Sequence, residues 1–242
     1  MDLDVPGARL HIDVEGPDGA PVVLFLHGAL ASGRAFRGQL PVLRDRYRVA
    51  LPDQRGHGRS TGEPDFEAMV DDGVRIMDEL SPCAPAHLVG ASMGGMVAAR
   101  VASERPDRVA TLALLSTPPA PDPKWQAYFR HMSPDELPDS TQKLARHWHG
   151  EPRWRDLARA LFARFAEPPV GAFEGRPRVA RALVMQATED ELLSPGDPEL
   201  WRTRIDGPIT ILRVPGDHAF FADGREGTRL TNAALLRLFD AA

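Results

Sequence analysis

The 242-residue sequence has one cysteine, two lysines and no long apolar run. Cys83 cannot form an internal disulfide, and its position in a proline-bounded loop favours an incidental thiol over a nucleophile. The N-terminal residues are acidic and lack the apolar segment of a secretory signal, and no stretch reaches the roughly 20 apolar residues of a membrane span. We therefore expect a cytoplasmic protein without a membrane span.

Concentrated positive charge is also absent. The formal net charge is -5, the isoelectric point is about 5.9, and charged residues are spread along the chain without blocks of one sign. Because a nucleic-acid surface needs clustered lysine and arginine, we expect no nucleic-acid partner. The expected partner is a small molecule, bound by a monomer or a homodimer.

The histidines lack the spacing of a metal site. His147 and His149 are two residues apart, which places their side chains on different sides of a helix, and no further ligands cluster with them. We expect no metal and no cofactor. His27 and His57 lie in glycine-bounded loops and are expected to hold those loops by local hydrogen bonds, whereas His87 begins an apolar strand as a structural residue.

Hydrophobic residues make up 43% of the chain, which suffices for one large α/β domain. Continuously apolar segments predict strands buried on both faces of a parallel sheet, and segments with helical spacing alternate with them. Residues 8–15 alternate in polarity and predict an antiparallel strand. The apolar segments are residues 21–26, 47–51, 87–90, 109–115, 182–187 and 209–214, and the helical ones include residues 36–44, 65–80, 94–104, 198–204 and 228–239.

A proline-rich segment at residues 117–123 interrupts this alternation. From there to residue 177 the chain is helical in pattern and rich in aromatic side chains. We interpret residues 120–177 as a helical cap inserted into a core of residues 1–119 and 178–242. If this cap covers a small-molecule site, some of its apolar side chains contact the bound molecule. The candidates are Trp125, Phe129, Met132 and Trp148, together with Phe220 of the core.

A glycine-flanked serine lies between an apolar strand and an alanine-rich helical pattern. From Gly90 to Gly94 small neighbours allow a sharp turn, which would hold Ser92 in a strained geometry with its hydroxyl exposed. The following helix would point its free N–H groups and positive dipole end at the same place, where they can stabilise an oxyanion. The pattern Gly-x-Ser-x-Gly often arises by chance, but the strand before it and the helix after it favour a nucleophile.

With four further segments, this turn resembles the α/β-hydrolase superfamily over essentially the whole chain. Those segments are the His-Gly dipeptide at residues 27–28, the loop 53–60, an acidic residue after the next-to-last strand and a histidine after the last strand. The resemblance implies an α/β fold whose mostly parallel eight-stranded sheet has helices on both faces and a small inserted helical cap. The family's order of catalytic residues, Ser, then Asp or Glu, then His, maps onto Ser92, Asp190 and His218.

The resemblance also gives each residue a role. His218 would take the proton of the Ser92 hydroxyl near neutral pH, and Asp190 would set the tautomer of the imidazole and stabilise its cation. The backbone N–H groups of Ala29 and Met93 would form the oxyanion hole.

The acid has competitors in the sequence. The glycine that the family usually has three residues before the acid is Ala187 here. Asp190 is preferred because an apolar segment and a proline follow it, as a helix follows the family's acid. Asp217 is interpreted as part of a local turn. The alternatives are the neighbours Glu189 and Glu191, and Asp122 after an earlier strand.

The sequence therefore predicts a cofactor-independent serine hydrolase that cleaves a small, largely apolar carboxylic ester through an acyl-enzyme on Ser92. An enol-lactonase, a thioesterase, a carbon–carbon bond hydrolase and a cofactor-free haloperoxidase-like enzyme share these motifs and are alternatives. A haloalkane dehalogenase and an epoxide hydrolase are disfavoured because the nucleophile position holds serine rather than aspartate. A binding protein on a hydrolase scaffold is the alternative from another class.

Overall fold

The computed structural model describes residues 1–167, 174–190, 198–222 and 224–240. Within these ranges eight strands form one sheet. They are β1 (Asp2–Val5), β2 (Ala8–Glu15), β3 (Val22–Leu26), β4 (Arg48–Pro52), β5 (Ala86–Ala91), β6 (Val109–Leu115), β7 (Arg181–Ala187) and β8 (Ile209–Val214). Their order is β1-β2-β4-β3-β5-β6-β7-β8. The β1–β2 and β2–β4 pairs are antiparallel and the other five are parallel, which confirms the expected sheet.

The first strand is the one that the sequence did not predict. β1 has only four residues and a single buried one, Val5, so its alternation is too short to stand out as a pattern. It forms a hairpin with β2 across Pro6 and Gly7, and Gly7 has the positive φ of 74° that such a tight turn requires.

Eight α-helices connect or flank the described strands. They are α1 (Leu40–Leu43), α2 (Phe66–Leu80), α3 (Met93–Glu104), α4 (Pro123–His131), α5 (Asp139–His149), α6 (Arg153–Ala166), α7 (Trp201–Arg204) and α8 (Glu226–Asp240). Short 3-10 helices occupy Gly33–Gln39, Pro106–Arg108, Pro134–Glu136, Pro198–Leu200 and Phe220–Ala222. None of the helices in the described ranges combines the length and hydropathy needed to cross a lipid bilayer.

The helix predicted at residues 36–44 is a 3-10 helix that leads into the single turn of α1. Pro41 has no N–H group with which to bond the carbonyl of Arg37, so an α-helix cannot run continuously through this segment. The N–H of Leu40 instead bonds Arg37 in the tighter 3-10 pattern.

Side chains pack on both faces of the sheet, which explains the continuously apolar strands. In β3, Val22, Leu24 and Leu26 pack into the core beneath α2 and α3. Val23 and Phe25 point to the other face, where α1 and α8 cover them. Alternate residues of one strand thus enter two different cores, so neither set can be polar.

In the described part of the chain between β6 and β7, where the sequence predicts a cap, lie the three helices α4 to α6. α4 packs on α6 through an aromatic cluster in which Phe129 contacts Phe162 and Phe165 at ring-centroid distances of 5.3 and 5.1 Å. The division at residues 120 and 177 stays a prediction, and one aromatic residue of this segment, Phe173, lies outside the described residues.

Gly94→Ala is expected to destabilise the protein by about 2 to 3 kcal/mol. A methyl group at this position would lie 2.1 Å from the carbonyl oxygen of Leu26, a backbone atom of β3 that cannot rotate away. Urea unfolding measures the loss.

Gly73→Ala in α2 is the matched control. Its methyl group would meet only Val101 Cγ2, at 3.2 Å, and alanine is the better helix former by about 1 kcal/mol, so its unfolding free energy should stay within about 1 kcal/mol of the wild-type value. Equal unfolding midpoints for the two variants would contradict the close approach at Gly94.

Candidate active site

Ser92 occupies a strained turn between β5 and α3. Its φ of 51° and ψ of -120° lie in a region that non-glycine residues rarely adopt. The turn is held because the Ser92 N–H donates to the Leu115 carbonyl at 2.9 Å and the Gly95 N–H donates to the Ser92 carbonyl at 2.9 Å. The flanking glycines are required sterically, since a methyl group on Gly90 would lie 2.3 Å from the Gly94 carbonyl oxygen.

Asp190 and His218 meet at the same edge of the sheet. Asp190 follows β7, His218 follows β8, and His218 Nδ1 lies 2.8 Å from Asp190 Oδ2. The Asp190 side chain is fully buried and also accepts a hydrogen bond from Gln186 Nε2 at 3.3 Å, whereas the imidazole of His218 is 21% exposed. The carboxylate is thus positioned to orient an imidazole that reaches solvent.

The other candidate acids that the structure describes are exposed or bond local backbone groups. Glu189 is exposed, and Asp217 accepts a hydrogen bond from the Ala219 N–H at 2.9 Å, the local turn that the sequence predicts. Asp122 caps α4 by accepting from the Lys124 N–H at 2.8 Å. Glu191 lies outside the described residues.

Ser92 lies at the end of β5, two strands from β7. Both Ser92 and His218 are within the described ranges, and no hydrogen bond joins their side chains there. Such bonds are often long before substrate binds and tighten in the complex with substrate.

An apolar cavity opens over Ser92. It encloses an empty volume of about 330 Å³, including the part open to solvent. Both residues expected to form the oxyanion hole, Ala29 and Met93, line it together with Ser92. The remaining lining residues are Met96, Pro118, Trp125, Phe129 and Phe165.

Of the predicted substrate contacts, Trp125 and Phe129 line this cavity. Met132 directly follows α4 and Trp148 lies on α5, and neither lines the cavity. Phe220 is 1% exposed and packs in the core on the opposite face of the sheet, because the short helix Phe220–Ala222 turns its ring inward.

Met96, Pro118 and Phe165 were not predicted to line the cavity. Met96 could have been found, because it follows Ser92 by four residues and one helical turn places both on the same side. No sequence spacing from Ser92 indicates that Pro118 or Phe165 lines the cavity.

Three buried histidines form a column beside the cavity. The ring centroids of His27 and His57 are 4.9 Å apart, and those of His57 and His149 are 5.6 Å apart. Burial lowers the pKa of His27 to about 4, lowers the pKa of His57 well below its ordinary value and lowers the pKa of His149. The column is therefore uncharged near neutral pH.

The hydrogen bonds of the column determine its tautomers. The Gln54 N–H can only donate, so His27 Nε2 accepts at 2.9 Å, and Nδ1 carries the proton that is donated to the Gly28 carbonyl at 2.8 Å. His57 Nδ1 donates to the Arg55 carbonyl at 3.0 Å. These bonds confirm that His27 and His57 hold their loops.

His149 joins α5 to two loops of the α/β core. Its Nδ1 accepts from the Gly58 N–H at 2.8 Å, so Nε2 carries the proton and donates to the Leu30 carbonyl at 3.0 Å. Arg153 of α6 adds donations to the carbonyls of Gly58 at 2.7 Å and Gly56 at 3.2 Å. The two-residue spacing predicts that His147 and His149 lie on different sides of a helix, and in α5 His147 is exposed while His149 is buried.

Within the described ranges, no three histidine, cysteine, aspartate or glutamate side chains are grouped so that they could hold a metal ion. The histidine column is no exception, because five of its six ring nitrogens already bond backbone carbonyl or N–H groups of the core loops.

The stability of the protein is expected to fall as the pH drops from about 6.5 to about 4. In this window an unfolded chain binds protons on these histidines that the folded protein does not bind, and His27 alone would cost about 2 kcal/mol at pH 5 relative to pH 7. Urea unfolding at several pH values measures the slope.

His57→Phe keeps an aromatic ring in the column but removes one titrating group, so its unfolding free energy should depend less steeply on pH. His131→Phe is the control, since His131 is exposed and stays in water in both states. A slope that is equal in all three proteins would show that the column does not contribute.

Comparisons with known proteins show the family of the chain. The family described as alpha/beta hydrolase fold matches residues 21–146. A haloalkane dehalogenase of Bradyrhizobium diazoefficiens is 32% identical over 79% of this chain and 59% of its own length. A 3-oxoadipate enol-lactonase of Acinetobacter baylyi is 24% identical over 85% of this chain and 79% of its own length.

Solved structures share the fold. The enol-lactonase from Burkholderia xenovorans LB400 superposes with a TM-score of 0.79 at 19% identity, covering 99% of this chain and 100% of that one. The chain spans only 33% to 59% of the length of several curated relatives that it matches. Since the family match extends over more than half of the sequence, the protein belongs to the α/β-hydrolase family.

Proposed function

We propose that the protein is a serine hydrolase that cleaves a small, largely apolar carboxylic ester without a cofactor. The 2.8 Å contact between His218 and Asp190 carries this proposal. A buried carboxylate that orients a solvent-reaching imidazole is the arrangement that prepares a base, and the strained Ser92 lies at the same edge of the sheet.

The reaction proceeds in two stages. His218 Nε2 takes the Ser92 proton as Oγ bonds the carbonyl carbon, and the same proton then passes to the leaving alcohol as the C–O bond breaks. Water next attacks the acyl-enzyme, giving one proton to His218, which returns it to Ser92 Oγ as the acid leaves. Asp190 accepts the Nδ1–H bond throughout and stabilises the imidazolium.

The oxyanion is stabilised by the N–H groups of Ala29 and Met93. Within the described ranges neither N–H donates to a protein acceptor, so both are free to bond a developing negative charge. Met93 is also the first residue of α3, where the helix dipole adds to the stabilisation.

The lining of the cavity supports the substrate class. Apart from Ser92 and the indole N–H of Trp125, its side chains are aliphatic, thioether or aromatic, which favours an apolar acyl or alcohol group. Two relatives are named haloalkane dehalogenase and epoxide hydrolase. We do not propose either activity for this protein, because Ser92 stands where those classes use aspartate. An enol-lactone would be opened by the same steps and is the second candidate, supported by the enol-lactonase relative.

Ser92→Ala is expected to abolish turnover of p-nitrophenyl esters while preserving the fold. The series runs from acetate to dodecanoate, and wild-type activity should peak at one chain length that reports the size of the cavity. Residual turnover in the variant equal to that of the wild type would overturn the mechanism.

A fluorophosphonate probe separates the alternatives. Labelling of the wild type without ester turnover would direct the search to a lactone, a thioester or a carbon–carbon bond. An unlabelled wild type would indicate a binding protein with an unactivated serine.

Asp190→Asn is expected to lower kcat by about 10³- to 10⁴-fold, because an amide cannot stabilise the imidazolium and favours the wrong tautomer. Asp217→Asn is the matched control: it removes the same charge next to His218 in sequence, and its side-chain oxygen can still accept from the Ala219 N–H. Steady-state kinetics of both variants should separate them widely, and comparable losses would refute the assignment of the acid.

A further inference from the structure

The peptide group whose N–H is the proposed oxyanion donor is fixed from its carbonyl side. The carbonyl of Gly28 and the N–H of Ala29 belong to one rigid planar unit. That carbonyl accepts two hydrogen bonds, from His27 Nδ1 at 2.8 Å and from the Ala31 N–H at 3.3 Å. The direction of the Ala29 N–H therefore depends on where these two donors are held.

The second donor belongs to a peptide group that α5 anchors. The Ala31 N–H shares its plane with the Leu30 carbonyl, and this carbonyl accepts from His149 Nε2 at 3.0 Å. Leu30 has a left-handed φ of 57°, a conformation that costs a leucine energy and persists only when its surroundings hold it. The His149 bond is one of the contacts that hold it.

We propose that His149 is a positioning residue for the oxyanion hole. Its Nε2 proton begins a chain of hydrogen bonds through the Leu30–Ala31 peptide and the Gly28–Ala29 peptide, which ends at the N–H that faces the carbonyl oxygen of the substrate. Each bond polarises the next, so the chain both aims the Ala29 N–H and strengthens it as a donor. This inference rests on the proposed function, because Ala29 is assigned there.

The ring is well suited to this task. Its other nitrogen accepts from the Gly58 N–H at 2.8 Å, which excludes the tautomer that could not donate to Leu30. His149 is 7% exposed, so water does not compete for either bond. The helix that carries it lies 91 residues from Gly58 and 119 residues from Leu30 along the chain.

The test compares His149→Phe with His149→Gln. Phenylalanine fills the space but has no N–H and no acceptor, whereas the glutamine amide offers one of each. His147→Phe on the same helix controls for an added phenylalanine, because His147 is exposed. Should His149→Phe fail to fold by circular dichroism, His149→Met, which also lacks an N–H, takes its place.

For p-nitrophenyl ester hydrolysis, we expect His149→Phe to lower kcat about tenfold or more with KM changed by no more than about twofold. His149→Gln should keep kcat within about threefold of the wild type, and His147→Phe should match the wild type. A fall in His149→Gln as large as that in His149→Phe would assign His149 to packing alone and overturn the proposal.

A second readout does not need turnover. In protein labelled with ¹⁵N-alanine, the amide protons of Ala29 and Ala31 should move upfield in His149→Phe and stay near their wild-type positions in His149→Gln. Unmoved signals in His149→Phe would overturn the proposal even if kcat fell. If the wild type neither cleaves esters nor reacts with a fluorophosphonate, the proposed function fails, and the alanine amides alone still decide whether His149 orients this loop.

Discussion

The close approach of α3 to the end of β3 is the constraint on which the site depends. A methyl group on Gly94 would meet the Leu26 carbonyl oxygen of β3 at 2.1 Å, and one on Gly90 of β5 would meet the Gly94 carbonyl oxygen of α3 at 2.3 Å. This approach brings the start of α3 beside Gly28, where a methyl group would lie 3.3 Å from Ser92 Cβ. Ser92 takes up the strain at φ 51°, at a cost of about 1 to 3 kcal/mol. Ser92, Ala29 and Met93 line one cavity because the packing of the backbone places them together.

Neutral imidazoles connect the loops around this contact without burying charge. Each buried ring can accept at one nitrogen and donate at the other, so His27 joins Gln54 to Gly28 and His149 joins Gly58 to Leu30. A lysine or an arginine could only donate, and its desolvation would be costly in so buried a place. The depressed pKa of His27, about 4, follows from the same burial, and it keeps these connections intact at neutral pH.

Much of this arrangement is readable in the sequence because it depends on local patterns. Strands buried on two faces leave continuous apolar runs. Ser92, Asp190 and His218 each follow a parallel strand, and parallel strands end at one edge of the sheet. The four-residue β1 leaves too short a pattern, and Phe220 adjoins the site in sequence but packs on the opposite face of the sheet. The spacing of His147 and His149 correctly predicts that the two side chains point apart. It does not predict that the buried one, His149, bonds a core loop 119 residues away in the sequence.

The helices α4 to α6 both line the cavity and hold loops of the α/β core. α4 supplies Trp125 and Phe129 to the cavity, while His149 of α5 and Arg153 of α6 bond backbone groups of the loops after β3 and β4. Because these two anchors bond carbonyls and N–H groups, they restrain where the loops lie and leave the identities of the loop side chains open. The aromatic packing of α4 on α6 ties the cavity lining to one of the anchors. A substitution that shifts α4 therefore also acts through α6 on the loop after β4, so the shape of the cavity and the position of this loop are coupled.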